Sequence, residues 1–125
     1  MKSIGQNKVN IRQAPSLKAD IAFQAHLGYP VEVEKKKDQW VLIKDWQGNT
    51  GWVYRPLVAD IRTAVVLEEN VNVRSGPGLK HRVVMQADRG QVYKIFAQEG
   101  KWVQIGYYLE GEKIGWIRQD LVWGE

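Results

Sequence analysis

The sequence predicts an all-β protein made of two tandem small β-barrels packed together. Three observations carry this. "VNIRQAPSLK" at residues 9–18 returns as "VNVRSGPGLK" at residues 71–80, and an internal repeat decides the architecture before any single element does. Within each copy the apolar residues alternate with a period of two. Turn-forming residues interrupt the chain at short intervals, which suits several short strands and leaves no room for an amphipathic helix.

The duplication extends well past the opening phrase. At an offset of 62, Leu17, Gly28, Trp40, Val41 and Ile43 meet Leu79, Gly90, Trp102, Val103 and Ile105. Two additional residues enter the second copy in "GYYLEGEKI". Gly51-Trp52-Val53 then matches Gly115-Trp116-Ile117, and Leu57-Val58 matches Leu121-Val122. The copies divide the chain into residues 1–60 and 61–125, each near the lower size limit for independent folding. The junction "ADIRTA" contains no Pro- or Gly-rich stretch, so the copies are expected to pack on each other rather than swing on a tether.

The elements follow in order. Val9 and Ile11 alternate with Asn10 and Arg12, Val31 and Val33 with Glu32 and Glu34, and Val41 and Ile43 with Trp40 and Leu42. Each set reads as a half-buried strand. Turns are expected at Ala14-Pro15-Ser16, at Gly28, over "KKKDQ" and over "QGNTG". In the second copy they fall at Gly76-Pro77-Gly78, Gly90, "QEGK" and "LEGEK". The Gly-containing loops in "WVLIKDWQGNTGWVY" and "WVQIGYYLEGEKIGWIR" predict a closing hairpin in each copy. Short strands with frequent turns in units this small point to compact barrels.

Alternation also assigns faces. With Val41, Ile43, Val53 and their counterparts Val103, Ile105 and Ile117 turned to the core, Trp40, Trp52 and Tyr54 face outward in the first copy. Trp102 and Trp116 do so in the second, together with Arg12 and Arg74 from the opening strands. An outer aromatic surface suits a ligand, because Trp and Tyr join a large contact area to a polar handle. The competing structural role is packing, including Arg–Trp stacking and a seam between copies. Candidate ligand-binding residues are therefore Trp40, Trp52, Tyr54, Trp102 and Trp116, with Tyr107 and Tyr108 of the second copy's longer loop as further candidates.

The formal charge of +4 is unevenly placed: residues 1–62 carry ten Lys/Arg against six Asp/Glu, and residues 63–125 carry eight against eight. The run Lys35-Lys36-Lys37 centres the excess and reads as a solvated turn in preference to a docking patch. There is no cysteine, which excludes thiol nucleophiles, disulfides and thiolate metal sites. No apolar run reaches the roughly 20 residues that span a bilayer, so no membrane insertion is expected. "MKSIGQNKVN" lacks the apolar middle of a signal peptide.

With these marks assembled, each copy resembles a bacterial SH3 domain. The resemblance rests on the openings "VNIRQAPS" and "VNVRSGPG", on Gly28 and Gly90 before the next strand, on "QWVLI" and "KWVQI", and on the closing "TGWVYRPLV" and "IGWIRQDLV". It implies an SH3-like barrel in each half and a non-catalytic module that binds cell-wall peptidoglycan or its peptides. It also implies a periplasmic or extracellular location, with any leader already removed. The eukaryotic "ALYDY" opening and paired central Trp are missing, although Pro56 lies near the place of a groove proline.

Catalytic machinery is not expected, nor any cofactor or metal. His26 and His81 occupy non-equivalent positions, and neither has a neighbour at ligand spacing. Glu68 and Glu69 are adjacent, so on a strand they would point to opposite faces. "RSGPG" precedes no helix and makes no phosphate cradle. Two other roles remain: a protein-interaction or scaffold module that takes an extended peptide on a strand edge, and single-stranded nucleic-acid binding. The second ranks lower, since phosphate-driven binding needs several clustered cations and the second copy is neutral.

Overall fold

The computed structural model describes residues 1–124 and divides them into two compact units, Met1–Ile61 and Arg62–Trp123. All regular structure in them is strand, apart from two single turns of 3-10 helix. No helix among the described residues is long and apolar enough to cross a membrane.

The first unit runs β1 (Lys2–Ile4), β2 (Val9–Arg12), β3 (Ile21–Ala25), β4 (Pro30–Lys37), β5 (Trp40–Lys44), β6 (Thr50–Tyr54), a 3-10 turn at Arg55–Leu57 and β7 (Val58–Ala59). The second repeats it as β8 (Thr63–Val66), β9 (Val71–Arg74), β10 (Val83–Ala87), β11 (Val92–Glu99), β12 (Trp102–Gly106), β13 (Lys113–Arg118), a 3-10 turn at Gln119–Leu121 and β14 (Val122–Trp123). The strand order is β3-β2-β6-β5-β4-β1-β7 in one seven-stranded antiparallel sheet and β10-β9-β13-β12-β11-β8-β14 in the other. This is the all-β, two-barrel architecture that the repeat and the alternation predict.

Each unit is closed by its own ends. Ser3 and Ile4 pair with Ala59 and Val58, while Val66 and Val65 pair with Val122 and Trp123. The repeated phrase "VNxR" is thus the second strand of each barrel, not the first. A short strand precedes it, and in the second unit that strand is the "TAVV" of the junction, buried at all four residues. Two more strands escape the sequence reading: β3 and β10 ("IAFQA", "VVMQA") are fully buried only at their last residue, so their apolar residues show no clean period.

The expected inward residues form the cores. Ile11, Val41, Ile43 and Val53 are buried with Ile4, Val9, Ala25 and Val31 in the first unit. Val73, Val103, Ile105 and Ile117 are buried with Ala64, Val71, Tyr93 and Ile95 among others in the second. The Gly before each Trp has a steric cause. A Cβ on Gly51 would lie 2.5 Å from Ile11 Cγ2, and one on Gly115 would lie 2.6 Å from the Arg74 carbonyl oxygen. The missing side chain lets β6 and β13 press against β2 and β9, opposite Arg12 and Arg74.

"KKKDQ" differs from its sequence reading. β4 continues through Lys37, and the turn shrinks to Asp38 and Gln39, with Asp38 at φ 54°. The register shifts between Val33 and Lys35: Val33 stands opposite Ile43, while Lys35 stands opposite Leu42. That bulge accommodates Glu34, which reaches Lys44 at 3.7 Å. The second barrel has the same irregularity between Ile95 and Ala97.

Candidate functional site

The site is built on the outer face of the β4–β5–β6 sheet. Residues opposite one another in antiparallel strands share a face, and the register places Lys37, Trp40 and Tyr54 in one row. Lys35, Leu42, Trp52 and Arg12 form the next. Trp40 and Tyr54 meet edge to face, with ring centroids 5.9 Å apart and planes at 61°, a favoured aromatic geometry. Trp40 is half-buried and Tyr54 is 41% exposed, so the pair is supported from below and open above.

Beside this pair runs a cleft of about 200 Å³ lined by Lys8, Asn10, Arg12, Leu17, Trp40 and Tyr54. It adjoins a wider depression in which Pro15, Ser16, Leu17 and Lys18 face the same two rings. One wall is therefore the long loop between β2 and β3, and that loop is tied down by the arginine of the repeated phrase. Arg12 Nη1 donates to the Ala19 carbonyl at 2.9 Å, and the Gln13 amide donates to the Asp20 carbonyl at 2.9 Å. The loop then presents Leu17 at 74% exposure next to the Trp40 ring. Leu17 thereby extends the exposed apolar surface of the aromatic pair.

The second barrel repeats the construction with different chemistry. Arg74 Nη1 donates to the His81 carbonyl at 3.0 Å and the Leu79 carbonyl at 3.4 Å, and Leu79 stands 69% exposed. The loop repacks locally: Gly76 and His81 stand where the first copy has Ala14 and Ala19, and a Cβ on Gly76 would meet the imidazole at 2.6 Å. The cleft, of about 310 Å³, is lined by Trp102, Leu79, Arg74, Arg118, Glu68 and Glu69 among others. Tyr54 is replaced by Arg118, which pairs with Asp120 at 3.1 Å. Glu68 and Glu69 lie on a bend before β9 instead of on a strand, so both border one cleft, contrary to the expectation that they would point apart. The acidic lip has no equivalent in the first copy, where Gln6 and Asn7 stand.

The seven candidate residues separate into three groups. Trp40 and Tyr54 in one barrel and Trp102 in the other line the clefts. Trp52 and Trp116 are half-buried opposite Arg12 and Arg74 and line none of these clefts. The guanidinium groups beside them hydrogen-bond to loop carbonyls. Tyr107 and Tyr108 follow β12, five and six positions beyond Trp102, which is roughly 17–20 Å at strand rise. The Tyr107 ring instead lies 6.4 Å from Tyr93, tilted at 48°.

One polar centre was not legible in the sequence. Asp45, 2% exposed, accepts from Tyr29 Oη at 2.7 Å, from the Gln47 and Asn49 amides at 3.0 and 2.8 Å, and from Asn49 Nδ2 at 3.2 Å. This set fastens the β5–β6 turn to the segment before β4. Burial, then the hydrogen bond to Asp45 and its charge, pushes the Tyr29 hydroxyl well above the ordinary tyrosine range. Tyr107 occupies the place of Asp45 in the second copy, and burial raises its neighbour Tyr93, helped by Tyr107 and Asp88.

Comparison with known proteins agrees with the fold. Two family profiles, both described as Bacterial SH3 domain, match residues 5–60 and 69–122. The chain belongs to the bacterial SH3 domain family, as two tandem copies. It is 23% identical over 130 aligned residues to YrvJ of Bacillus subtilis, named as an N-acetylmuramoyl-L-alanine amidase; the match covers 95% of this chain and 24% of that protein. It is 28% identical over 53 residues to LytH of Staphylococcus epidermidis, named as a cell wall amidase, covering 42% of this chain and 18% of that one. A structure of an NlpC/P60 family protein from Bacillus cereus superposes with a TM-score of 0.45 at 14% identity, covering 98% of this chain and 55% of that chain. The chain thus spans about a quarter or less of the curated relatives it matches.

Proposed function

We propose that this pair of bacterial SH3 domains is a non-catalytic module that binds the cell wall, taking peptidoglycan or its stem peptides outside the cytoplasmic membrane. The observation that carries the reading is the Trp40–Tyr54 pair, open to solvent and flanked by the exposed Leu17. Such a surface offers stacking to a sugar ring or an alanine-rich peptide, with Asn10 and Lys8 at its border for polar groups. Relatives named as wall amidases support the choice of ligand.

An extended peptide of a protein partner is the second reading. It is favoured by β3, which ends its sheet and exposes Ile21 to 48%. Co-sedimentation of the full chain with purified sacculi separates the two. Trp40→Ala and Tyr54→Ala should each weaken binding about tenfold or more, and Trp52→Phe should leave it within about twofold. Sacculi that fail to retain the unaltered protein would refute wall binding and direct attention to the β3 edge.

A further inference from the structure

The lysine run acquires a meaning from the β4 bulge. Had β4 alternated without interruption, Lys35 and Lys37 would share the inward side of Val33. The extra residue at Glu34 reverses the parity. Lys35 then stands opposite Leu42 and Lys37 opposite Trp40, both on the outer face. Lys36 goes the other way: it borders a separate hollow with Lys2, Val33, Val41, Arg55 and Val58. All three lysines are exposed, and none makes an ion pair among the described residues, whereas Lys2 and Lys44 are paired with Asp60 and Glu34. The corresponding residues of the second barrel are Ala97, Gln98 and Glu99, which leave its outer face without this charge.

We propose that the outer face of the first barrel is a docking surface for an anionic glycan polymer, with Lys35 and Lys37 meeting its negative groups and Trp40 and Tyr54 its sugar or polyol backbone. This rests on the wall-binding reading and adds to it a ligand charge and a division of labour between the barrels. Charge complementarity selects the occupant: Lys37 stands in register with the aromatic pair and Lys35 in the neighbouring row, neither in an ion pair among the described residues, whereas the equivalent rows of the second barrel are Glu99–Trp102–Arg118 and Ala97–Gln104–Trp116–Arg74. Two lysines are few for retention by nucleic acid, which gains affinity through many phosphate contacts. The anions are phosphodiesters of a wall-attached polymer, which carries its charge in the same backbone as its sugar or polyol units, as lysines and aromatic rings on one face require.

The test is co-sedimentation of the full chain with Gram-positive sacculi, intact or stripped of phosphodiester polymers by hydrofluoric acid. The variants are Lys35→Gln/Lys37→Gln and, as a control of half that charge change on the other face, Lys36→Gln. The double variant should bind intact sacculi about three- to tenfold more weakly at low salt and show a flatter salt dependence, while Lys36→Gln stays within about twofold of the unaltered protein. Acid stripping should abolish the lysine effect; an effect that survives stripping overturns the proposal, because carboxylates of peptidoglycan would then be the ligand. Equal binding by the double variant and the unaltered protein overturns the proposal and leaves wall binding standing. Equal losses from Lys36→Gln and the double variant also overturn it, because net charge would then be the cause. Tighter binding to a single-stranded oligonucleotide than to intact sacculi overturns it in favour of nucleic acid.

Discussion

Replacing Asp45 by Ala tests whether the buried carboxylate holds the first barrel together. Four donors lose their acceptor: Tyr29 Oη, the amides of Gln47 and Asn49, and Asn49 Nδ2. Gln47 and Asn49 are exposed, so water can serve their groups again, at a cost of about 0.5 kcal/mol each. Tyr29 Oη is half-enclosed and costs about 1–2 kcal/mol when its charged acceptor goes. Relief of carboxylate desolvation offsets part of this. The expected loss is about 2–3 kcal/mol for the first barrel. Hydrogen exchange of the full chain reads it directly, at the core amides of Val41, Ile43 and Val53. Protection there should fall by roughly 30- to 150-fold, at 1.36 kcal/mol per decade. The amides of Val103, Ile105 and Ile117 provide the comparison, because Tyr107 stands in the place of Asp45. Asp45→Asn keeps an acceptor for the backbone amides and should lose about half as much. Protection within about threefold of the unaltered protein would refute the reasoning, since the carboxylate would then be dispensable.

Three further outcomes follow from the same geometry. Tyr29→Phe should reduce the loss of stability above about pH 10: a tyrosine raised in the folded state favours folding fully below the unfolded value, and that stability is lost as pH rises past it; urea midpoints at pH 8 and pH 11 measure this. Gly115→Ala should cost more than Gly51→Ala, about 2–3 against 1–2 kcal/mol, because its Cβ would meet the backbone oxygen of Arg74 while that of Gly51 meets a methyl group of Ile11; thermal unfolding of the two variants ranks them. Arg12→Ala should loosen residues 13–20, seen as lower amide order parameters there, and weaken sacculus binding several-fold through Leu17 with the core intact.

The sequence by itself determined the duplication, the all-β class, and the inward set around Val41, Ile43 and Val53 with its counterparts. Alternation encodes a face wherever a strand pairs without interruption and one side is buried. For the same reason it placed Trp40 and Tyr54 on one outward surface. Short edge strands such as β3 bury too little to leave a pattern, and they stayed invisible. Only the tertiary structure decided which outward aromatics share a cleft, because Trp40 and Tyr54 meet Leu17 through a loop that Arg12 closes. It also decided the sides of the lysines. One bulged residue at Glu34 exchanges the faces of everything beyond it, and nothing in the local spelling of "EVEKKK" marks where the register slips. The Asp45 centre was hidden for a related reason: its main partner, Tyr29, is sixteen residues away and reaches it only after the sheet has formed.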